Sequence, residues 1–198
     1  MSDAHEQMEQ ADLAKEVSRE DRKIALVIAI LALFLSFSET VGKSAQTEAI
    51  SANVESSNLW AFFQAKTIRM TTLSTAAEEL KLTAAAAATD PATKEAMEKQ
   101  IAAWEKTVAR YDSEPETREG RKELVARAKE AEENRNLSLA KYHHYELASA
   151  AFQIGIVLAS AAVITGMVLL AWCAGLLGVL GLGVLSLGLF APHLIALP

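Results

Sequence analysis

The sequence predicts an all-α membrane protein: three transmembrane helices, with a long antiparallel coiled-coil hairpin between the first and the second. Three observations carry this. No Asp, Glu, Lys or Arg follows Glu146. An apolar run, IALVIAILALFLSFS, extends from Ile24 to Ser38. Between these two regions, small and apolar residues recur with a seven-residue period, and no Gly or Pro falls between Ala45 and Asp90. So long an uncharged segment would be insoluble on a protein surface, but it has the chemistry of a chain in lipid.

Residues 1–22 read as a polar N-terminal tail and 23–41 as the first span. The tail is too long and too acidic for the basic leader of a cleaved signal peptide, so the apolar run is expected to be an uncleaved anchor. Ala25, Ala29, Ala32 and Ser36 lie on one helical face. A stripe of that kind lets helix backbones approach closely in lipid, where packing replaces the hydrophobic effect.

Residues 42–147 read as a helical-hairpin stalk. Its seam runs through Ala45, Ala49, Ala52, Ser56, Leu59, Phe63, Met70, Leu73, Ala77, Leu80 and Ala84, with Lys66 at a seam position. Spacings that alternate four and three are those of a coiled coil. A turn is expected near 89–91, with Asp90 as N-cap and Pro91 at the first helical position. Met97, Ile101, Trp104, Val108 and Tyr111 continue the pattern on the return. A break is expected near 112–115, where Ser113 and Glu116 have capping-box spacing. The outgoing and returning arms come to roughly 73 Å and 82 Å at 1.5 Å per residue, so both can meet the membrane. Counting along them places Lys66 opposite Glu119 to Glu123 and predicts an ion pair. Asn58 and Gln64 are expected to help fix the register around Trp60.

Residues 148–172 read as the second span and 174–196 as the third, with a turn near Trp172–Gly175. A re-entrant or surface-lying last segment is the runner-up. Ala148, Ala151, Gly155, Ala159, Ala162 and Gly166 form a second small-residue stripe. Lys15, Arg19, Arg22 and Lys23 precede the first span and only Lys43 closely follows it. The N-terminus is therefore expected in the cytoplasm and the stalk outside.

KYHHY, residues 141–145, stands where the chain enters the second apolar block. Neighbouring helical residues diverge by about 100°, so His143 and His144 of one chain cannot share a metal ion. Tyr142, His143, His144 and Tyr145 are expected to form an interfacial belt, with Trp172 at the other end of the span. His193 is read as interfacial, and Cys173, the single cysteine, as a packing residue.

N-L-W-A-F-F-Q-A-K (58–66) and H-H-Y-E-L-A-S-A-A-F-Q-I-G-I-V-L-A-S (143–160) together resemble a family of uncharacterised bacterial inner-membrane proteins, a domain of unknown function. The resemblance covers most of the chain and rests on Asn58, Trp60, Gln64, Ala65 and Lys66. It implies a bacterial inner-membrane protein with a helical insert and transfers no catalytic residue.

The net charge of −6 leaves no basic excess for nucleic acid. No Asp, Glu, Lys or Arg lies inside a span away from its ends, which weakens proton-coupled transport. No nucleophile–base pair, phosphate loop or metal-ligand spacing is present. The expectation is a non-enzymatic scaffold or assembly protein with no cofactor or metal, in contact with membrane lipid. It would form a homo-oligomer or join a larger membrane complex. The alternative is an oligomeric channel or transport component lined by the glycine-rich last span.

Overall fold

The structure is a computed structural model. It describes the backbone of residues 2–86 and 90–193 and the side chains of 21–85 and 90–193. Among the described residues every regular element is a helix: α1 (Ser2–Ala86), α2 (Pro91–Asp112), α3 (Arg121–Thr165) and α4 (Val168–Phe190). The helices α1, α3 and α4 each contain a stretch long and apolar enough to cross a membrane. The chain divides into two compact units, one from Met1–Ala49 with Asn136–Pro198 and one from Ile50–Arg135. Thus α1 and α3 each contribute to both.

In the first unit the core is Leu31, Ala45, Tyr145, Ala148, Phe152 and Leu185, with Val27, Phe34 and Leu35 packed against it. The stripe on α3 holds at Ala148, Gly155, Ala159 and Ala162, all buried. On α1 the small-residue stripe faces outward. Ala25, Ala29, Ala32 and Ser36 are exposed, and the inward face carries Val27, Leu31, Phe34 and Ser38 instead. The reason is that the partner helices supply the small residues. A Cβ placed at Gly155 would lie 3.2 Å from a Leu31 methyl, and one at Gly178 would lie 2.7 Å from the other. One small surface per contact is enough for close approach, so α1 fills glycine hollows with leucine. The same complementarity places Phe152 over Gly181, with its ring 6.0 Å from that of Phe34.

The last two apolar helices divide at Gly166–Met167, not near Trp172–Gly175. Gly166 has φ 71°, the left-handed conformation that commonly ends helices and that glycine adopts without strain. Its N–H donates to the Ala162 carbonyl at 2.9 Å, and the Thr165 hydroxyl accepts from the Met167 N–H at 3.3 Å. Gly166 is therefore a cap and not the end of the packing stripe. Gly175, within α4, has open space around it. Of the expected last span, 194–196 lie outside the described residues.

In the second unit α1 and α3 run antiparallel. Leu59 packs with Leu124, Ala128 and Ala131, and Trp60, Phe62 and Phe63 lie against that cluster. None of the seam positions of α1 in this unit is exposed: Ala52, Ser56, Leu59, Lys66 and Ala77 are buried, while Phe63, Met70, Leu73, Leu80 and Ala84 are half-buried. On α2, Ile101 is buried and Met97, Trp104, Val108 and Tyr111 are half-buried. Pro91 opens α2 as expected. Asp90 occupies the cap position, but its carboxylate accepts from the Thr93 hydroxyl at 3.5 Å instead of a backbone N–H. Residues 87–89 of the expected turn lie outside the described residues.

The break between α2 and α3 is longer than the capping-box reading implies, because α3 begins only at Arg121. Ser113 does not cap a helix through Glu116. Its hydroxyl donates to Glu123 Oε1 at 2.6 Å, and the Glu114 N–H donates to Glu123 Oε2 at 3.1 Å. A carboxylate that receives both donors closes the loop from its far end.

Candidate functional site

Two clusters of polar side chains stand out, one in each unit. In the first unit they surround the level at which the apolar runs of α1 and α3 give way to charge. Tyr145 is threaded between two glycines. Its Cβ lies 3.4 Å from where a Gly42 Cβ would stand, and its ring edge lies 2.8 Å from that position at Gly188. The Tyr145 hydroxyl donates to the Gly188 carbonyl at 3.2 Å, and its own carbonyl accepts from the buried Ser38 hydroxyl at 2.9 Å. This one residue ties α1, α3 and α4 together.

His144 is 1 % exposed. Nδ1 lies 2.7 Å from the Ala140 carbonyl; a carbonyl only accepts, so this nitrogen carries the proton in the contact. Nε2 is buried without a hydrogen-bond partner among the described residues. KYHHY is thus not a uniform belt. His144 and Tyr145 belong to the interior, and Tyr142 and His143 are half-exposed. Sequence spacing contained a signal for this, since Tyr145 lies three residues before Ala148 on the same helical face. Trp172 is 75 % exposed, and Cys173 is exposed too, not packed.

Beside Tyr145 a groove of about 290 Å³ opens between α1 and α3, lined by Glu39, Lys43, Gln46, Tyr142, Glu146 and Gln153 among others. Gln153 donates to Glu39 Oε1 at 3.4 Å. His143 Nδ1 is 3.9 Å from Glu146 Oε2.

In the second unit the centre is Lys66, 5 % exposed. Its ammonium lies 3.6 Å from Glu114 Oε2 and 4.0 Å from Glu119 Oε2. The expected pair with Glu119 is present at the limit of reach, and Glu114 is nearer. The ring of Phe62 at 5.2 Å and that of Tyr111 at 5.5 Å complete the surroundings. A buried ammonium needs such counter-charge and π-face contact to offset its desolvation. Arg121 sits next to it, with its guanidinium 5.1 Å from the Phe63 ring, Nη1 3.8 Å from Asp112 and Nε buried without a hydrogen-bond partner among the described residues. Lys122 reaches the other Asp112 oxygen at 2.7 Å, which raises the Lys122 pKa above its ordinary value.

Further along, the Trp60 indole donates to Glu132 Oε1 at 2.8 Å, and the Ser56 hydroxyl lies 3.5 Å from the same oxygen. Glu132 was not singled out from the sequence, although a buried indole N–H generally finds an acceptor. Asn58, Gln64 and Ala65 are exposed, so they do not fix the seam. Of Asn58, Trp60, Gln64, Ala65 and Lys66, only Trp60 and Lys66 face the interior of this unit. The cluster pins the α2–α3 break against α1, and its chemistry is charge neutralisation. Among the described residues no group of three His, Cys, Asp or Glu could hold a metal ion.

The Ser113 hydroxyl, followed by the Glu114 N–H, holds the Glu123 carboxyl below its ordinary value of 4.5. A folded pKa below the unfolded one contributes stability that is present above the unfolded value and lost as pH falls through the folded value. Denaturation followed by tryptophan fluorescence should therefore show a loss of stability as pH falls below about 4.5, from this pair among others. Ser113→Ala should reduce the acid-dependent part of that loss. An unchanged acid limb would remove Ser113 from the latch.

The model of a family described as a domain of unknown function (DUF4337) matches residues 20–191. No curated protein and no solved structure matches the chain.

Proposed function

We propose that this chain, which belongs to the family described as a domain of unknown function, DUF4337, is a non-enzymatic scaffold or assembly protein of the bacterial inner membrane. It holds its N-terminus in the cytoplasm and its polar hairpin in the periplasm, and it works as a homo-oligomer or as an accessory subunit of a larger complex. The hairpin reads as an antiparallel coiled coil, supported by the coincidence of its seven-residue period with the buried positions of α1.

The observation that carries the assembly reading is the outward alanine stripe. Ala25, Ala29, Ala32 and Ser36 are exposed, whereas Ala148, Gly155, Ala159 and Ala162 of α3 and Gly178, Gly181 and Gly188 of α4 are buried within the chain. A close-packing face with no partner among the described residues suits a helix from another subunit. The channel alternative has less support, because Gly178, Gly181 and Gly188 of the glycine-rich last span are buried against Leu31, Phe152 and Tyr145, which leaves Gly175, Gly183 and Ser186 exposed.

Cysteine cross-linking tests this in the native membrane. In a Cys173→Ser background, Ala29→Cys is expected to give a disulfide-linked species on oxidation, while Val27→Cys, on the inward face, gives none. Native mass spectrometry should then show whole multiples of the 21.3 kDa chain or a particle with other subunits. A solitary chain in both experiments would overturn the assembly reading.

A further inference from the structure

We infer that the groove between α1 and α3 is a binding site for a phospholipid headgroup bearing a primary amine, a phosphoethanolamine group. The inference rests on the chain lying in a membrane and stands apart from whether it assembles. Three observations carry it. First, the groove lies where both helices change character. Lining Glu39 and Lys43 follow the apolar run that ends at Ser38, and lining Glu146 precedes the uncharged stretch of α3. The buried Ser38–Tyr145 hydrogen bond holds these two levels together. In a bilayer this is the depth of the headgroups, and exposed Leu33, Phe37, Leu147 and Ile154 offer apolar surface for acyl chains.

Second, the lining carries both signs of charge, which a zwitterion matches. Glu39 and Glu146 supply two carboxylates, and Lys43 forms no ion pair among the described residues. Gln153 engages only one oxygen of Glu39, so the other is open to an ammonium. Lys43 is then available for the phosphate, with the Gln46 amide and the Tyr142 hydroxyl as further donors.

Third, the balance of charge discriminates among headgroups. Two carboxylates against one lysine disfavour an anionic headgroup. A quaternary ammonium has no N–H to donate and is typically recognised by aromatic cages, whereas carboxylates and amides suit a primary ammonium with three N–H donors. At about 290 Å³ the groove is at the lower end of ligand-pocket sizes, as suits a headgroup whose tails remain in lipid.

The test uses the full chain in nanodiscs containing phosphatidylethanolamine, phosphatidylcholine and phosphatidylglycerol in equal amounts. Lipid retained on release into the gas phase is counted by native mass spectrometry. One phosphatidylethanolamine per chain is expected, retained about tenfold over the other two, as one or two charge-assisted hydrogen bonds allow. Glu39→Gln with Glu146→Gln should abolish the preference, and Lys43→Ala should lower retention of every phospholipid. All three positions are exposed, and helical content by circular dichroism confirms that the variants fold. Retention without headgroup preference, or a preference that survives the double glutamine variant, would overturn the site. Displacement of the lipid by equimolar soluble glycerophosphoethanolamine would overturn the membrane as its source.

Discussion

Gly120→Ala is expected to destabilise the second unit by about 3 kcal/mol, the upper end for inserting a methyl where packing leaves no room. A Cβ at Gly120 would lie 2.4 Å from the Glu114 nitrogen, 2.6 Å from Ser113 Cα and 2.1 Å from Glu123 Oε2. Two of those atoms are backbone, so relief requires the loop to move. Movement breaks the Ser113 and Glu114 hydrogen bonds to Glu123 and displaces Glu114 from Lys66. The constraint at Gly120 is space. Arg118 presents the opposite case, with φ 57° on a residue that has a side chain; there a glycine would relieve strain. Urea denaturation monitored through Trp60 and Trp104 measures both changes. Wild-type stability in Gly120→Ala would mean that the loop opens cheaply and that the Glu123 closure does not hold it.

Phe152→Ala should have a comparable effect in the first unit, about 3 kcal/mol. If the unit lies in a membrane, as proposed, the transfer part of a truncation is largely absent, and what remains is lost dispersion contact around an unfilled cavity. Phe152 is fully buried, stacked on Phe34 and seated over Gly181. Gly181→Ala alone also destabilises, because the new methyl would lie 2.7 Å from the Phe152 ring. The informative result is the combination. In the Phe152→Ala background the added methyl enters empty space, so the double variant should be more stable than the sum of the singles predicts, by about 1 kcal/mol or more. Thermal unfolding in a fixed detergent gives all four corners of the cycle. Strict additivity would mean that Phe152 and Gly181 do not meet.

The buried face of α1 in the second unit was legible because burial follows helical period, and a single chain with a polar outside displays that period directly. Lys66 was legible for the same reason, since a charge inside an apolar seam must find a counter-charge across it. The first unit was less so. In the apolar stretches every face is hydrophobic, so period no longer distinguishes inside from outside. The small residues of α1 and those of α4 look alike as sequence, yet Ala25, Ala29, Ala32 and Ser36 are exposed, while Gly178, Gly181 and Gly188 are buried under Leu31, Phe152 and Tyr145.

The candidate groove illustrates the same division. Glu39, Lys43 and Gln46 are one apparent helix surface, and Tyr142, Glu146 and Gln153 are another, about a hundred residues away. Nothing local to either stretch marks a site. Their meeting depends on the register of α1 against α3, which the Ser38–Tyr145 hydrogen bond and the Gly42 contact fix.

The sequence by itself determined that the chain is helical, that three of its stretches are apolar enough for a membrane, and which face of α1 in the second unit turns inward. Each of those follows from spacing and hydropathy along one segment. The tertiary structure alone decided where the last two spans divide, which small residues pack and which remain outside, and which polar groups meet. Those outcomes depend on complementarity between faces distant in sequence, a leucine against a glycine or a carboxylate against two donors, and no single segment carries both halves.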